Sequence, residues 1–273
     1  MKRINIDEIK KIQLDMLLSI DEFCRIHCIK YSLSSGTLIG AVRHGGYIPW
    51  DDDIDIMMPR VDYEQFIYSF NGAFNHLSLL APELDSSFYA PYANVYDNRT
   101  VLFEGYNGHR GHNIGVKIDI FPIDNVSENS EVYIKDMRYV NRLNILMYIK
   151  RIEKVLNSKM SFLDKIKTYM CKIVLSFVPY SYLQSKINDV AKNKSYDNSQ
   201  YVDNVVYNIY YKKHTRFNKS ILENYIRIPF EGYDFSVIED YDTVLKKMYG
   251  NYMQLPPECN RIAHHNFDAF WID

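Results

Sequence analysis

The chain has 273 residues, with 32 Lys and Arg against 34 Asp and Glu, four Cys, and 40 aromatic side chains from 24 Tyr, 14 Phe and 2 Trp. This length suits one large or two ordinary domains, and 47% hydrophobic residues exclude a disordered chain. The near-neutral charge excludes a generally basic nucleic-acid binder, and no apolar run approaches the ~20 residues of a transmembrane helix. Because the charged N-terminus has no apolar segment that marks secretion, we expect a cytoplasmic protein without a nucleic-acid partner.

The spacing of apolar residues predicts the first elements in chain order. Helical steps of three or four occur over residues 6–29 and 60–74. Gly36 predicts a turn after the first strand, and Pro59 closes the second. Alternating or short extended runs predict strands at 31–35, 54–58, 77–80, 91–96, 100–104 and 116–121.

The second half of the chain begins with a helical pattern. From Glu128 to about Asn193 there is no Gly and a single Pro, and the remainder is mixed. The whole pattern predicts an α+β fold with a mixed sheet and an added helical region. We expect a catalytic core over residues 1–125, a helical region packed on it over 126–200, and a mixed region over 201–273 that completes the site.

Charge is unevenly distributed along the chain. Between Arg138 and Ile187 there are ten Lys or Arg and two acidic residues, a local excess of eight positive charges. Such a run is typical of a solvated helix face, and it also suits a surface for an anionic or membrane-held partner. We predict that residues 138–187 face a phosphate-bearing or membrane-associated acceptor, as a peripheral contact at the inner face of the membrane.

The sharpest local feature is an acidic run that begins at Asp51. Four carboxylates within five residues, at positions 51, 52, 53 and 55, repel one another unless a cation or a solvated turn relieves them. On a strand, Asp53 and Asp55 point to one face while Ile54 and Ile56 point to the other. The pattern therefore predicts a pair of carboxylates that share one site above an apolar anchor.

Several kinds of site use such acidic runs. A calcium-binding EF-hand loop needs Gly and Glu where Ile56 and Asp62 stand, so that interpretation is excluded. A glycosyltransferase Asp-x-Asp motif, which holds a metal and a sugar nucleotide, stays open, and so does a binding module without catalysis.

Residues on both sides of the acidic run point to phosphate chemistry. Upstream, small residues around Ser35, Gly36 and Thr37 allow backbone N–H groups to approach a phosphate, with Arg43 as a nearby cation. Downstream, Lys117 and Asp119 share one face of a strand. A Ser-Gly turn, an Asp-x-Asp strand and a third Asp on a later strand form the site plan of the nucleotidyltransferase (polymerase β-like) fold. Three such carboxylates can hold one or two Mg²⁺ ions against phosphate oxygens.

A long stretch of this sequence closely resembles the signature of the LicD family, the bacterial phosphocholine transferases related to the fukutin-type ribitol-phosphate transferases. The stretch is residues 36–56, Gly-Thr-Leu-Ile-Gly-Ala-Val-Arg-His-Gly-Gly-Tyr-Ile-Pro-Trp-Asp-Asp-Asp-Ile-Asp-Ile. Sequences similar to later family motifs follow in the expected order at 116–124, 229–232, 249–258 and 264–266. The resemblance implies a nucleotidyltransferase-like core and transfer of a phospho-alcohol, typically phosphocholine from CDP-choline, to a hydroxyl on a surface glycan or its lipid-linked precursor.

The resemblance also assigns roles to residues. Asp53 and Asp55 match the metal-binding pair and Asp119 the third, metal-completing or basic, carboxylate, with Mg²⁺ or Mn²⁺ as the expected cofactor. The same motifs contain Asp51, Asp52 and Asp124, which we expect to shape the surrounding loops. The sequence departs from the family pattern at Asn94 and Tyr96, where basic residues are expected.

The remaining candidates concern the substrates. We expect Ser35, Gly36, Thr37, Arg43 and Lys117 to contact the donor's phosphates. Trp50 is the aromatic residue we assign to a choline trimethylammonium group through a cation–π contact. His264 and His265 suit either acceptor binding and proton transfer or a structural role. The predicted activity is metal-dependent transfer from CDP-choline with release of CMP, and another CDP-linked alcohol (ethanolamine, glycerol or ribitol) stays open as the donor.

Overall fold

The computed structural model describes residues 1–104, 114–151, 161–208, 216–262 and 267–272. Within these residues the helices are α1 (Ile6–Ile26), α2 (Ser35–His44), α3 (Arg60–Ser69), α4 (Ser130–Arg151), α5 (Phe162–Ser176), α6 (Tyr180–Ala191) and α7 (Tyr241–Tyr249). The strands are β1 (Lys2–Ile4), β2 (Ser32–Leu33), β3 (Asp55–Pro59), β4 (Leu77–Leu80), β5 (Ala93–Asp97), β6 (Thr100–Glu104), β7 (Lys117–Asn125), β8 (Tyr201–Asp203), β9 (Phe217–Asn218), β10 (Tyr225–Phe230), β11 (Tyr233–Ile238) and β12 (Phe267–Trp271).

A central mixed sheet positions the acidic residues. Its strand order is β2-β3-β7-β5-β4, and β8 and β9 continue it from the far end of β7. The pair β3–β7 is parallel, whereas the other pairs are antiparallel. Strands β1, β12 and β6 form a second sheet, and β10 and β11 form a hairpin. The described residues therefore form a mixed α+β structure, as the sequence predicts.

The core lies beneath the acidic strand. Ile54, Ile56 and Met58 are at most 1% exposed, so the apolar set predicted from alternation is buried. Helix α1 covers them with its own apolar stripe. It begins at a capping box in which Asn5 and Glu8 satisfy each other's backbone amides.

A second apolar cluster joins the helical region to the sheet. Helices α4 and α6 bury Tyr133, Met137 and Ile187 together with Val205 from the C-terminal part. The buried Gln184 amide of α6 donates to the Ala90 carbonyl oxygen at 3.2 Å, which ties this helix to the loop before β5. None of the described helices is long and apolar enough to cross a bilayer.

The predicted elements are confirmed with shifts at their ends. The turn predicted at Gly36 is wrong, because the chain enters helix α2 there. This helix forms because Leu38, Ile39 and Ala41 are buried against the core, which overrides the weak helical preference of its glycines. Strand β7 continues beyond the predicted 116–121 to Asn125, where it pairs with β8. The proposed division into three regions stays a prediction.

Candidate active site

Two aspartates are neighbours across the parallel strands β3 and β7. Asp55 is the register partner of Asp119, whose amide donates to the Ile54 carbonyl oxygen at 3.1 Å. Burial, followed by the charges of Asp53 and Asp119, raises the pKa of Asp55 well above its usual value, while Lys117 acts in the opposite direction. A set of carboxylates crowded in this way suits a divalent cation, since oxygen ligands with excess negative charge are what Mg²⁺ prefers.

The loop before β3 adds more acidic groups. One oxygen atom from each of Asp51, Asp52 and Asp53 lies within 4.8 Å of the others, a spacing that could hold a metal ion. Asp52 is buried, and its backbone carbonyl oxygen accepts from the Gln13 side chain of α1 at 3.2 Å. Asp53 thus stands between two groups, the loop carboxylates and the Asp55–Asp119 pair.

Asp119 is held by two donors. The Lys117 ammonium nitrogen lies 2.6 Å from Asp119 Oδ1, which confirms that both side chains share one face of β7. The Asn94 amide of the adjacent strand β5 donates to the same oxygen at 2.5 Å. Asn94 is buried, so at this position of the family pattern the chain supplies a neutral donor that orients Asp119. From the sequence alone, Asn94 shows only that this position differs from the basic residue of the family pattern.

The start of α2 lies directly against β3. The Ser34 amide donates to the Asp55 carbonyl oxygen, and the Asp55 amide donates to Thr37 Oγ1 at 2.9 Å. Thr37 is buried, so its hydroxyl positions Asp55. Ser35 has φ of +49°, a left-handed conformation that costs energy for a residue with a side chain.

Gly36 has a steric reason to be glycine. A Cβ atom built at this position would overlap the Asp51 carboxylate, so a side chain here would force that carboxylate to move. Ser35, Gly36 and Asp51 are therefore gathered at one place, next to Asp55.

Two other predicted contacts have partners elsewhere in the structure. Arg43 is near the far end of α2, about 10 Å from Gly36 at the helical rise per residue, and its Nη1 donates to the Tyr252 carbonyl oxygen at 2.6 Å. Trp50 is partly buried against the core, and the Arg261 guanidinium lies 5.8 Å from its ring centroid. His264 and His265 lie outside the described residues.

Asp124 connects two elements of the fold through an ion pair. It is buried at the end of β7 and accepts two hydrogen bonds from Arg60, at 2.6 and 2.8 Å. Arg60 begins α3, so this ion pair joins the end of β7 to the helix that follows β3.

A cavity of about 250 Å³ opens beside Asp55. Ser34, Ser35 and Asp55 line one side of it. The remaining wall is mostly apolar and aromatic and comes from β3, β7, β9 and α7, with one buried carboxylate, Asp203 of β8. The sequence gives no signal for Asp203, because it is a single acidic residue 150 positions after the acidic run, with no motif around it.

Comparison with known proteins relates this site to a family. Residues 28–151 match the model described as the LicD/FKTN/FKRP nucleotidyltransferase domain. Over 273 residues the chain is 29% identical to lipopolysaccharide cholinephosphotransferase LicD of Haemophilus influenzae, with 99% of each chain covered. It is also 46% identical over 66 residues to an uncharacterized protein of Rickettsia typhi, a match of 24% of this chain and 21% of that protein. The matched domain contains the acidic run and Asp119.

Proposed function

We propose that the chain is a LicD-family phosphotransferase, which its match to the domain model and its similarity to the Haemophilus influenzae protein support, and that it transfers phosphocholine from CDP-choline to a hydroxyl of a cell-surface glycan or its lipid-linked precursor, releasing CMP. The full-length similarity to a protein named as a lipopolysaccharide cholinephosphotransferase supports this choice of donor and acceptor. The matched domain description supports a nucleotidyltransferase-like core.

One observation carries the proposal. Asp55 and Asp119 are register partners on parallel strands, with Asp53 two residues before Asp55 and the start of α2 beside them. This arrangement offers acidic oxygens and small residues at one place, which is what a diphosphate and a divalent cation together need.

The proposed cofactor is Mg²⁺ or Mn²⁺, held by Asp53, Asp55 and Asp119. When bound, such an ion neutralises charge on phosphate oxygens as it develops during transfer. The loop carboxylates Asp51 and Asp52 add negative charge next to this place and so favour the cation.

The protein's own groups then have separate roles. Asn94 and Lys117 fix one oxygen of Asp119, which leaves its other oxygen either to complete the metal site or to accept the proton of the acceptor hydroxyl. That hydroxyl oxygen forms a bond to the phosphorus that carries choline, while the bond from this phosphorus to the bridging oxygen breaks and CMP leaves. Ser35 and Gly36 provide the close approach for the phosphates.

Two other functions remain as competitors. Another CDP-linked alcohol presents the same diphosphate, so ethanolamine, glycerol and ribitol donors are the first alternative. A metal-dependent glycosyltransferase would instead use a sugar nucleotide and would release a nucleoside diphosphate.

A donor panel separates these functions. The purified protein is incubated with Mg²⁺, the host's glycan and each of the CDP-linked alcohols or a set of sugar nucleotides, and the nucleotide product is identified. We expect CMP from CDP-choline at the highest rate, and only when the metal and the glycan are present. A nucleoside diphosphate from a sugar nucleotide, or no turnover with any CDP-alcohol, would contradict the proposal.

A further inference from the structure

We infer that the cavity beside Asp55 binds the quaternary ammonium group of the donor's choline, with Asp203 as its counter-charge; this inference rests on the proposed function. Trp50, the aromatic residue that the sequence favours, is not among the residues that line this cavity. The cavity offers a different set of rings and, besides Asp55, a second acidic group, Asp203.

The wall of the cavity has the chemistry that a trimethylammonium group needs. Methyl groups around a nitrogen cation are stabilised by apolar contact and by the faces of aromatic rings. The wall supplies four aromatic and two methionine side chains: Phe121, Tyr207, Phe217, Tyr249, Met57 and Met248. Of these, Met57, Phe121 and Phe217 are at most 8% exposed, so the inner end of the cavity is screened from water.

Asp203 supplies charge to this wall. It is 4% exposed and accepts from the Asn204 amide at 2.8 Å, from the Tyr133 hydroxyl at 2.5 Å, and from the Asn208 side chain. These three donors are neutral and occupy both of its oxygens. A quaternary ammonium has no N–H group and therefore needs only the field of the carboxylate, not a free acceptor site. A base edge such as that of cytosine would need unoccupied hydrogen-bonding groups.

The cavity also reaches the proposed phosphate site at Asp55. Asp55 and Ser35 line the same space as Asp203, so one ligand can place a phosphate at Asp55 and its alcohol in the cavity. Tyr207 lines the cavity together with Asp203 and Asp55. Burial, followed by the charges of the nearby Asp119 and Asp55, raises the pKa of its hydroxyl. Burial raises the pKa of Asp203 to about 7, while the hydrogen bonds from Tyr133 and Asn204 and the charge of Lys247 act in the opposite direction.

A neutral analogue of the donor tests this inference. In CDP-dimethylbutanol a carbon atom replaces the choline nitrogen, so shape is kept and charge is lost. For the wild-type protein we expect kcat/KM with CDP-choline to exceed that with the analogue by on the order of tenfold. Asp203→Asn should remove this preference by lowering kcat/KM for CDP-choline, with the value for the analogue nearly unchanged. Equal losses with both donors, or a preference that survives in the variant, would overturn the inference.

A matched control and a second variant keep the result interpretable. Asp21 is another buried aspartate that accepts from a tyrosine, Tyr31, at 2.6 Å, and it does not line the cavity. Asp21→Asn should keep the donor preference. If Asp203→Asn does not fold, Tyr207→Leu replaces it, since Tyr207 is 43% exposed; this variant should reduce the preference, and an unchanged preference would overturn the inference.

Binding without turnover separates this inference from the proposed function. Calorimetry compares phosphocholine with dimethylbutyl phosphate on the wild-type protein and on Asp203→Asn. Selective binding of phosphocholine that depends on Asp203 supports the cavity assignment even where no CDP-alcohol turns over. Equal binding of both ligands by the wild-type protein overturns it, whatever the donor panel shows.

A second inference comes from an independent surface, the outer face of α5. We infer that this face, defined by the exposed apolar side chains of residues 163–177, lies on an anionic membrane surface. The large apolar side chains on it are Leu163, Ile166, Tyr169, Met170, Ile173, Val174 and Phe177, and they range from 45% to 85% exposed. Thr168 and Leu175 are the buried residues of this segment, so most of the helix's apolar side chains point away from the protein.

Charge identifies the partner of this face. Lys165, Lys167 and Lys172 lie on the same helix, with one acidic residue, Asp164, in its first turn. An apolar helix face bordered by lysines is the pattern of helices that lie in the interface of anionic membranes.

Vesicle binding tests the membrane contact. The full chain is sedimented with phosphatidylcholine vesicles that contain or lack phosphatidylglycerol. We expect binding to the anionic vesicles, a loss of several-fold in Val174→Ser/Phe177→Ser, and no change in Val61→Ser, since Val61 is 78% exposed on α3. Equal binding by all variants would overturn the inference. Self-association of the wild-type protein that these two substitutions abolish would identify a second copy as the occupant and would also overturn it.

Discussion

The acidic site on strands β3 and β7 and the outer face of α5 hold their side chains in opposite ways. At the acidic site, neighbouring side chains fix both aspartates: the Thr37 hydroxyl accepts from the Asp55 amide, and Asn94 and Lys117 donate to Asp119. On α5, large apolar side chains project from the surface, with Phe177 85% exposed. Reaction chemistry needs fixed geometry, whereas contact with a fluid surface needs only area and charge. We therefore expect the acidic site to carry out the reaction and the face of α5 to hold the protein at the membrane.

The largest expected effect on activity is at the acidic site on β3 and β7. Asp119→Asn keeps the shape of the side chain but removes the negative charge that would hold the cation, so we expect kcat for CMP release to fall by about 10²–10³-fold. The melting temperature should change little. The control is Asp136→Asn, which removes a carboxylate that accepts from Tyr196 at 2.8 Å in the helical region, and it should keep wild-type kcat. Wild-type kcat in Asp119→Asn would remove this residue from the mechanism.

A smaller effect is expected where the acidic loop meets α2. In Gly36→Ala the new methyl group overlaps the Asp51 carboxylate, so we expect the free energy of unfolding to fall by about 1–2 kcal/mol. Chemical denaturation measures this fall. In an Asp51→Ala background the overlap is relieved, and Gly36→Ala should then cost much less. Equal costs in both backgrounds would mean that the two residues do not compete for space.

The smallest effects separate two kinds of lysine in the helical region. Lys150 donates to the Leu175 carbonyl oxygen at 2.8 Å and lies 5.0 Å from the centroid of the Tyr180 ring, so Lys150→Met should lower the free energy of unfolding by about 1 kcal/mol. Lys167 is exposed, so Lys167→Met should leave stability unchanged and weaken binding to anionic vesicles about fivefold. The reverse result would place the docking surface at the end of α4 and not on α5.

The orientation of the side chains on β3 and β7 could be predicted from the sequence because it depends only on local alternation. Period-two alternation at Ile54, Asp55 and Ile56 indicated which side chains are buried, and the same rule placed Lys117 and Asp119 on one face. The family resemblance is confirmed by the comparisons. The cofactor, the site roles and the cytoplasmic location stay predictions.

The rest of the site depends on residues that are distant in sequence. Gln13 reaches the acidic loop from α1, Asn94 reaches Asp119 from β5, and Asp203 enters the cavity from β8. No local pattern announces these contacts, since they arise only when the sheet and helices assemble. Periodicity likewise finds the apolar stripe of α5 but does not tell which side the protein covers. The basic residues of 138–187 do not all serve one surface. Lys150 packs against the Tyr180 ring and the Arg151 guanidinium against the Tyr89 ring, which the sequence pattern does not reveal.

Phosphorus NMR of the complete reaction can follow the proposed metal-dependent transfer of phosphocholine. CDP-choline, Mg²⁺, the host's glycan and the purified protein are mixed, and the phosphorus signals are followed with and without a chelator. We expect the two diphosphate signals to disappear together and CMP and a glycan phosphodiester to appear in equal amounts, only while the metal is available. Unchanged CDP-choline, or a glycan product formed equally fast in the chelator, would contradict the proposed transfer.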